Sequence, residues 1–207
     1  MKRSDLVSVI VVLALCLLLA FVFMKGRARL EEKSQRLVCV NNLKEIGISF
    51  RMWPRDDNRS PMIVSERFGG AQESAESGGV WRVFQVMSNF VAEPKRLICP
   101  EDTRRPADSW SQLSSNAQVS YFVGLEAEDF SPNMLLSGDR NIALNGKLLA
   151  GVVALGTNSP VQWTANDIHR GEGNIGYADG SVQQFTTKKL RAALVNSGDS
   201  TNRLVFP

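Results

Sequence analysis

A chain of 207 residues that is 43% hydrophobic and 22% charged, with 16 glycines and 8 prolines, is neither disordered, collagen-like nor a polytopic membrane protein, and is sized for one modest domain. Its 24 Lys and Arg exceed its 21 Asp and Glu by three, yet residues 37–207 hold 17 positive against 18 negative charges. The excess flanks one apolar run and forms no basic face, so nucleic acid is set aside as a partner.

In chain order, residues 1–5 are a short cytoplasmic stub. Leu6 to Met24 is 19 residues without a charge, a helix of about 28 Å against a hydrocarbon core of roughly 30 Å, and reads as a transmembrane helix. It is longer than the apolar part of a cleaved signal, about 7 to 15 residues, and has no small-residue exit before Lys25, so a retained anchor is expected. Lys2 and Arg3 precede the run; Lys25, Arg27, Arg29, Lys33 and Arg36 follow it. That count alone places the head in the cytoplasm. Cysteine usage points the other way. Cys16 lies in the run, and the remaining Cys39 and Cys99 are an even pair, fitting one disulfide in an oxidising compartment or two buried thiols.

Beyond the run, Leu30, Leu37, Val40, Leu43, Ile46, Phe50 and Trp53 recur at helical steps until Pro54. Residues 25–54 therefore read as an amphipathic helix continuing the anchor, or as a separate core helix, with Gly26 and Gly47 as places to bend. Residues 55–207 are the head. A polar loop runs to Gly79 with a short strand at Pro61–Val64, and Val80–Phe90 forms a short helix through Trp81, Phe84 and Met87. Strands are expected at Leu97–Cys99, Val119–Val123, Met134–Ser137 and Leu148–Leu155. Gly173–Phe185 reads as a hairpin with a type I′ turn at Asp179-Gly180. Thr186 or Thr187 then caps a final helix that turns Leu190, Leu194 and Val195 inward and stops at Gly198. The expected class is α+β: a long N-terminal helix on an antiparallel sheet, with a short C-terminal helix.

Chemical signals are sparse. Gly171-Glu-Gly173-Asn-Ile-Gly176 has dinucleotide spacing, but a hairpin and not a helix follows it. His169 is the only histidine, without C-x-x-C or H-E-x-x-H, and reads as a structural imidazole bonded to backbone; no metal or cofactor is expected. A Cys39 or Cys99 nucleophile with His169 as base and Asp167 or Asp179 as orienter is composition-compatible, but both cysteines sit among apolar neighbours that favour an inert thiol or a disulfide. Asp56-Asp57-Asn58 and Glu126 to Asp129 read as solvated carboxylates, since neither has the alternating ligands of a calcium loop.

Cys39-Val-Asn41-Asn42-Leu43-Lys44-Glu-Ile-Gly47 after a single apolar helix, the pair Cys99-Pro100, and His169 separated from Asp179-Gly180 by nine intervening residues occur together. With them the chain resembles bacterial type II secretion pseudopilin-like proteins carrying the prepilin-processing-associated H-X9-DG domain. The resemblance covers nearly the whole chain. It implies a type IV pilin-like fold and a head in the periplasm. It also implies assembly with other pilin-like subunits, copies of itself included, through a helix held in inner-membrane lipid. Cys39 and Cys99 would staple helix to sheet, and His169, Gly173, Asn174, Asp179 and Gly180 would organise the terminal hairpin. The family's processing site is G-F-T-L-x-E. Here Lys2-Arg-Ser4-Asp5-Leu-Val-Ser8 lacks the glycine, Ser8 aligns with the glutamate, and Asp5 offers a carboxylate at a shifted place. The resulting expectation is a non-enzymatic, single-pass, uncleaved pseudopilin-like protein. Its rival is an anchored ligand-binding module that never polymerises.

Overall fold

A computed structural model describes residues 3–53, 60–128 and 131–207, and the side chains of these except at 3–9, 11 and 28. The architecture is α+β, with a long N-terminal helix and antiparallel sheet. Helix α1 spans Arg3–Met52, and the chain divides into two compact units, Met1–Gln35 and Arg36–Pro207.

In the first unit, residues 12–24 are exposed all round the helix, including Leu17 at 71% and Phe23 at 75%. Among the described residues no helix is long and apolar enough to cross a membrane. The side chains at 6–9 and 11, which complete the uncharged run, lie outside the described ones, as do those of Ser4, Asp5 and Ser8.

In the second unit, Cys39, Asn42, Leu43, Ile46, Ser49 and Phe50 form the buried face of α1, at helical steps of three and four. The expected stripe is corrected at its start: Leu37 is 58% exposed and Val40 only half-buried, because the inward face is the one carrying Cys39. The helix ends at Met52; Pro54 lies outside the described residues.

Two short helices follow, α2 (Gln72–Glu76) and α3 (Val80–Val86), and then nine strands among the described residues. These are β1 (Tyr121–Gly124), β2 (Leu135–Asp139), β3 (Ile142–Leu144), β4 (Lys147–Leu148), β5 (Gly151–Gly156), β6 (Val161–Trp163), β7 (Glu172–Tyr177), β8 (Val182–Thr186) and β9 (Thr201–Phe206). Helix α4 (Thr187–Asn196) separates the last two. A six-stranded sheet has the order β5-β9-β1-β2-β7-β8 and a smaller one the order β4-β3-β6, with every pairing antiparallel. Alternation along the strands divides the core. Tyr121, Val123, Leu136 and Val205 join the cluster built on α1, whereas Phe122, Leu135, Leu204 and Phe206 join the cluster of α4 and the small sheet.

Several expected elements are corrected. Pro61–Val64 is a turn, whose Pro61 and Val64 carbonyls accept from Ala71 and Gln72. Leu97–Cys99 is no strand, because Pro94 opens a tight helical turn through Leu97 and the Ile98 carbonyl is taken by the Asn42 side chain. Leu148–Leu155 is two strands, broken at residues 149–150 ahead of Gly151, which opens β5 at φ 67°. Val195 is 54% exposed; Ala193 packs inward with Leu190 and Leu194, behind Thr186, which caps α4.

The turn at Asp179-Gly180 is not type I′, because only Gly180 has positive φ, 83°. Gly180 N–H donates to the Tyr177 carbonyl and Tyr177 N–H to that of Ser181, the three-residue loop in which a left-handed glycine closes a bulge. Helix α1 meets this turn backbone to backbone. A Cβ on Gly47 would lie 3.3 Å from Gly180 Cα, and the Arg51 guanidinium donates to the Asp179 carbonyl at 3.0 Å. Gly180→Val is expected to lower the unfolding free energy of the full chain by about 2 kcal/mol, since a β-branched residue is strained at positive φ. An unchanged denaturation midpoint would contradict this.

Candidate functional site

Five of the residues singled out in the sequence converge: Cys39 and Asn42 from α1, Cys99 from the loop before β1, His169 from the turn before β7, and Asn174 within β7. Cys39 and Cys99 form a disulfide with Cα atoms 5.2 Å apart. Cys99 belongs to a loop, so the bond ties α1 to the Pro94–Pro100 segment, which reaches the sheet region through Ser120 N–H donating to the Leu97 carbonyl. Asn42 Nδ2 donates to the Ile98 carbonyl at 3.1 Å, fixing the same segment from one turn along the helix.

His169 begins a left-handed run: His169, Arg170 and Gly171 have φ of 57°, 47° and 88°. Such conformations cost about 1 to 3 kcal/mol in non-glycine residues and persist only where surroundings hold them. The holding groups are not backbone alone, which corrects the expectation from sequence. Glu101 grips His169 twice, accepting from its backbone N–H at 3.1 Å and from Nδ1 at 2.9 Å. With a carboxylate facing Nδ1 and the Asn174 amide donor facing Nε2, the neutral ring that satisfies both carries its proton on Nδ1 and its lone pair on Nε2. Nε2 lies 3.1 Å from Asn174 Nδ2, 3.4 Å from Asp139 Oδ2 and 3.5 Å from Cys99 Sγ.

Asp139 and its two successors, at the corner between β2 and β3, are the centre that sequence reading missed. Asp139 Oδ2 accepts from the backbone and side-chain nitrogens of Asn174 at 2.7 and 2.9 Å, while its Oδ1, wholly buried, has no partner. Arg140 is bidentate to Asp102 at 2.8 and 2.9 Å and bidentate to Asp167 at 3.1 Å. Asn141 Nδ2 donates to the Ile168 and Glu172 carbonyls. Three consecutive side chains thus fasten the Cys99–Asp102 loop, the Asp167–Gly171 turn and β7 to one point. In the sequence, Ser137-Gly-Asp-Arg-Asn141 between apolar runs has the composition of an exposed turn; nothing local distinguishes it.

The remaining candidates separate from this cluster. Asn41 and Lys44 are exposed, Leu43 is core, and Gly47, Asp179 and Gly180 make the helix-to-hairpin junction. Gly173 admits the Trp163 ring, which would clash with any Cβ at that position. The glycines of the dinucleotide-like spacing lie in and before β7, with no helix at their end. Neither Asp167, paired with Arg140, nor Asp179, accepting from Ser181 N–H, orients His169; Glu101 does. Asp56, Asp57, Asn58 and Asp129 lie outside the described residues, and Glu126 pairs with Arg203.

Burial pushes the Asp139 carboxyl up to about 6, against the pull of His169, Asn174 and Arg36. Because the folded chain then holds a proton that the unfolded chain releases, Asp139 lowers stability as pH rises from 3.8 to about 6. The difference between wild type and Asp139→Asn should shift by about 3 kcal/mol in the variant's favour across that window. Denaturant unfolding of both proteins at each pH measures it, and a flat difference would contradict the assignment.

Comparison with protein-family models, curated proteins and solved structures gives no match to this chain.

Proposed function

We propose that the protein is a non-enzymatic, single-pass pseudopilin-like subunit. The apolar start of α1 sits in the inner membrane and residues 36–207 form a periplasmic head in a type II secretion or type IV pilus-like assembly. The observation that carries this reading is the contrast along α1. Its large apolar side chains between Val12 and Met24 are at least half exposed, whereas Cys39, Leu43, Ile46 and Phe50 are buried in the head. Exposed apolar surface on this scale needs lipid or another helix to cover it. The shared presence of the C-N-N-L-K-x-I-G block, Cys-Pro and H-X9-DG supports a pilin-like partner as well as lipid. The disulfide supports an oxidising compartment. The candidate site supports a structural role, since its sulfurs and imidazole are buried and engaged with one another.

The test is topology and proximity. A reporter fused after Pro207 should register outside the cytoplasm, and a cytoplasmic signal would overturn the reading. Cys16 is a free cysteine in the apolar run, so membranes treated with a mild oxidant should yield crosslinked dimers that Cys16→Ser abolishes. Intact-mass analysis of membrane-extracted protein should retain residues 1–5, because the processing glycine and glutamate are absent; a shortened, methylated N-terminus would contradict that expectation.

A second reading, an anchored ligand-binding module, has one observation in its favour. A groove of about 510 Å³ beside the terminal hairpin is lined by Tyr177, Asp179, Ser181 and Gln183. A periplasmic head without Cys16 crosslinks would favour it.

A further inference from the structure

We infer that the Cys39–Cys99 staple has a second, metal-bound form. When the disulfide is reduced, Cys39 Sγ, Cys99 Sγ, His169 Nε2 and Asp139 Oδ2 constitute a tetrahedral site for Zn²⁺ or a divalent ion of similar ligand preference. The sequence gives little hint of this, because the ligands come from four separate places in the chain and no pair has finger-like spacing.

The geometry carries the inference. The two sulfurs and a histidine nitrogen lie within 4.8 Å of one another, all from buried residues. Zn–S bonds of about 2.3 Å and Zn–N or Zn–O bonds of about 2.05 Å at tetrahedral angles require S···N edges of about 3.5 Å and N···O edges of about 3.3 Å. The observed edges are 3.5 Å from Cys99 Sγ to His169 Nε2 and 3.4 Å from that nitrogen to Asp139 Oδ2. The sulfurs must part, from bonding distance to about 3.8 Å, which is what reduction permits. The Asp139 carboxylate, which lies beside Nε2 but outside the 4.8 Å group of the two sulfurs and the imidazole, must swing toward them to fill the fourth position.

The surroundings of the imidazole are those of a metal ligand. Glu101 accepts from Nδ1 and so turns the Nε2 lone pair toward Cys99 and Asp139, the carboxylate–histidine arrangement that orients zinc-bound imidazoles. An independent observation is the Asp139 carboxylate itself. It is fully buried, one of its oxygens has no partner, and the other faces His169 without the ring donating to it. Two sulfurs and an imidazole nitrogen gathered within 4.8 Å, with a buried and partly unpartnered carboxylate beside the imidazole, are an incomplete polar arrangement that a cation completes. Asn174 Nδ2 keeps its bond to Asp139 in that form and gives up the one to Nε2. Cys99 is followed at once by the exposed Pro100, so the cluster lies one residue from the surface along the chain.

The chemistry balances with a dithiol as reductant. The Sγ–Sγ bond breaks, two electrons and two protons pass to the sulfurs, and the dithiol becomes a disulfide. Binding of the divalent ion then releases the two thiol protons to solvent. In reverse, a disulfide oxidant takes two electrons from the two thiolates and leaves as a dithiol after gaining two protons, so the Sγ–Sγ bond re-forms and the ion is expelled. Either form ties α1 to the Cys99 loop, so the head keeps its cross-link in both redox states.

The experiment uses the full chain in detergent, reduced with a phosphine and titrated with Co²⁺ as a spectroscopic probe, then with Zn²⁺ in competition. One equivalent of Co²⁺ should give thiolate-to-metal charge transfer and the intense visible bands of a tetrahedral ion, and Zn²⁺ should displace it. The oxidised protein should give neither. Glu101→Gln should weaken binding by about 10- to 100-fold, as for other groups that orient a ligand, and His169→Gln and Asp139→Asn by more. Should reduction loosen the head, the metal is expected to restore its helical signal, because binding and folding are then coupled. Reduced protein without a tetrahedral thiolate spectrum overturns the inference whether or not it stays folded. Equal affinity in either His169→Gln or Asp139→Asn also overturns it, because binding would then be by the dithiol alone. The pseudopilin reading is untouched by these outcomes, since it rests on topology and Cys16 proximity.

Discussion

Replacing Cys39 and Cys99 together with alanine is expected to lower the stability of the oxidised head by about 4 kcal/mol, the chain-entropy cost of opening a loop whose ends are 60 residues apart in sequence. That is a large share of the roughly 5 to 15 kcal/mol available to a typical domain. The loss has a location as well as a size. The bond joins the first buried residue of the α1 face to a loop whose segment before Cys99 meets the sheet region through the Ser120-to-Leu97 backbone bond and whose segment after it is held by Glu101 and Asp102, so the residues nearest the two cysteines should be released together. Asn42 still holds the Ile98 carbonyl in the variant, and Leu43, Ile46 and Phe50 still bury their side chains. Hydrogen exchange should therefore rise most at Val38–Asn42 and Leu97–Glu101 and least at Ile46–Phe50. Denaturant unfolding of the full chain in detergent gives the total. A double variant within about 1 kcal/mol of wild type would show that the unfolded chain is already compact around this pair.

Legibility from sequence followed the range of the interactions. Helix α1 shows itself because its periodicity is local, and the β7–β8 hairpin because Asp179-Gly180 marks a turn between two runs. The turn type differs from the expected one by a single residue. Asp-Gly satisfies a two-residue loop, but Tyr177 pairs with Ser181, which adds Ala178 to the loop and leaves Gly180 alone in the left-handed region. Strand β9 escaped because Thr201–Phe206 is short and follows a helix cap, and its place between β5 and β1 is settled only by distant partners. The pairing of Cys39 with Cys99 rested on counting, whereas the rest of the site rested on nothing countable. Glu101, Asp139 and Arg140 are ordinary polar residues in segments of turn-like composition. Asp139 and Arg140 are buried, and Glu101 half-buried, because sheet order sets the β2–β3 corner beside both the Cys99 loop and the His169 turn.

Arg140→Ala is expected to cost about 3 to 5 kcal/mol, because it strands a buried carboxylate. The Asp102 side chain is wholly buried, and two of its hydrogen bonds come from the Arg140 guanidinium. Burial alone would raise its carboxyl, but the bonds from Arg140 and Ser120 outweigh that and hold it below the usual carboxylate range. In the folded wild type Asp102 therefore contributes stability above its unfolded pKa of 3.8 and loses it as pH falls below that value. Without Arg140 the desolvation remains and the largest opposing interaction is gone, so the sign reverses: the variant's deficit should shrink as the solution is made acidic. Adding Asp102→Asn should recover part of the loss, since the amide carries no charge to strand, and the double-mutant cycle then isolates the pair from the second bond to Asp167. The consequence reaches the disulfide. Arg140 holds Asp102, three residues from Cys99, against Asp167, two residues from His169, so its removal should let the Cys99 loop open and speed reduction by an added dithiol. A loss under about 1 kcal/mol, with reduction at the wild-type rate, would assign the corner to the protein surface and leave the geometry around His169 to Glu101 alone.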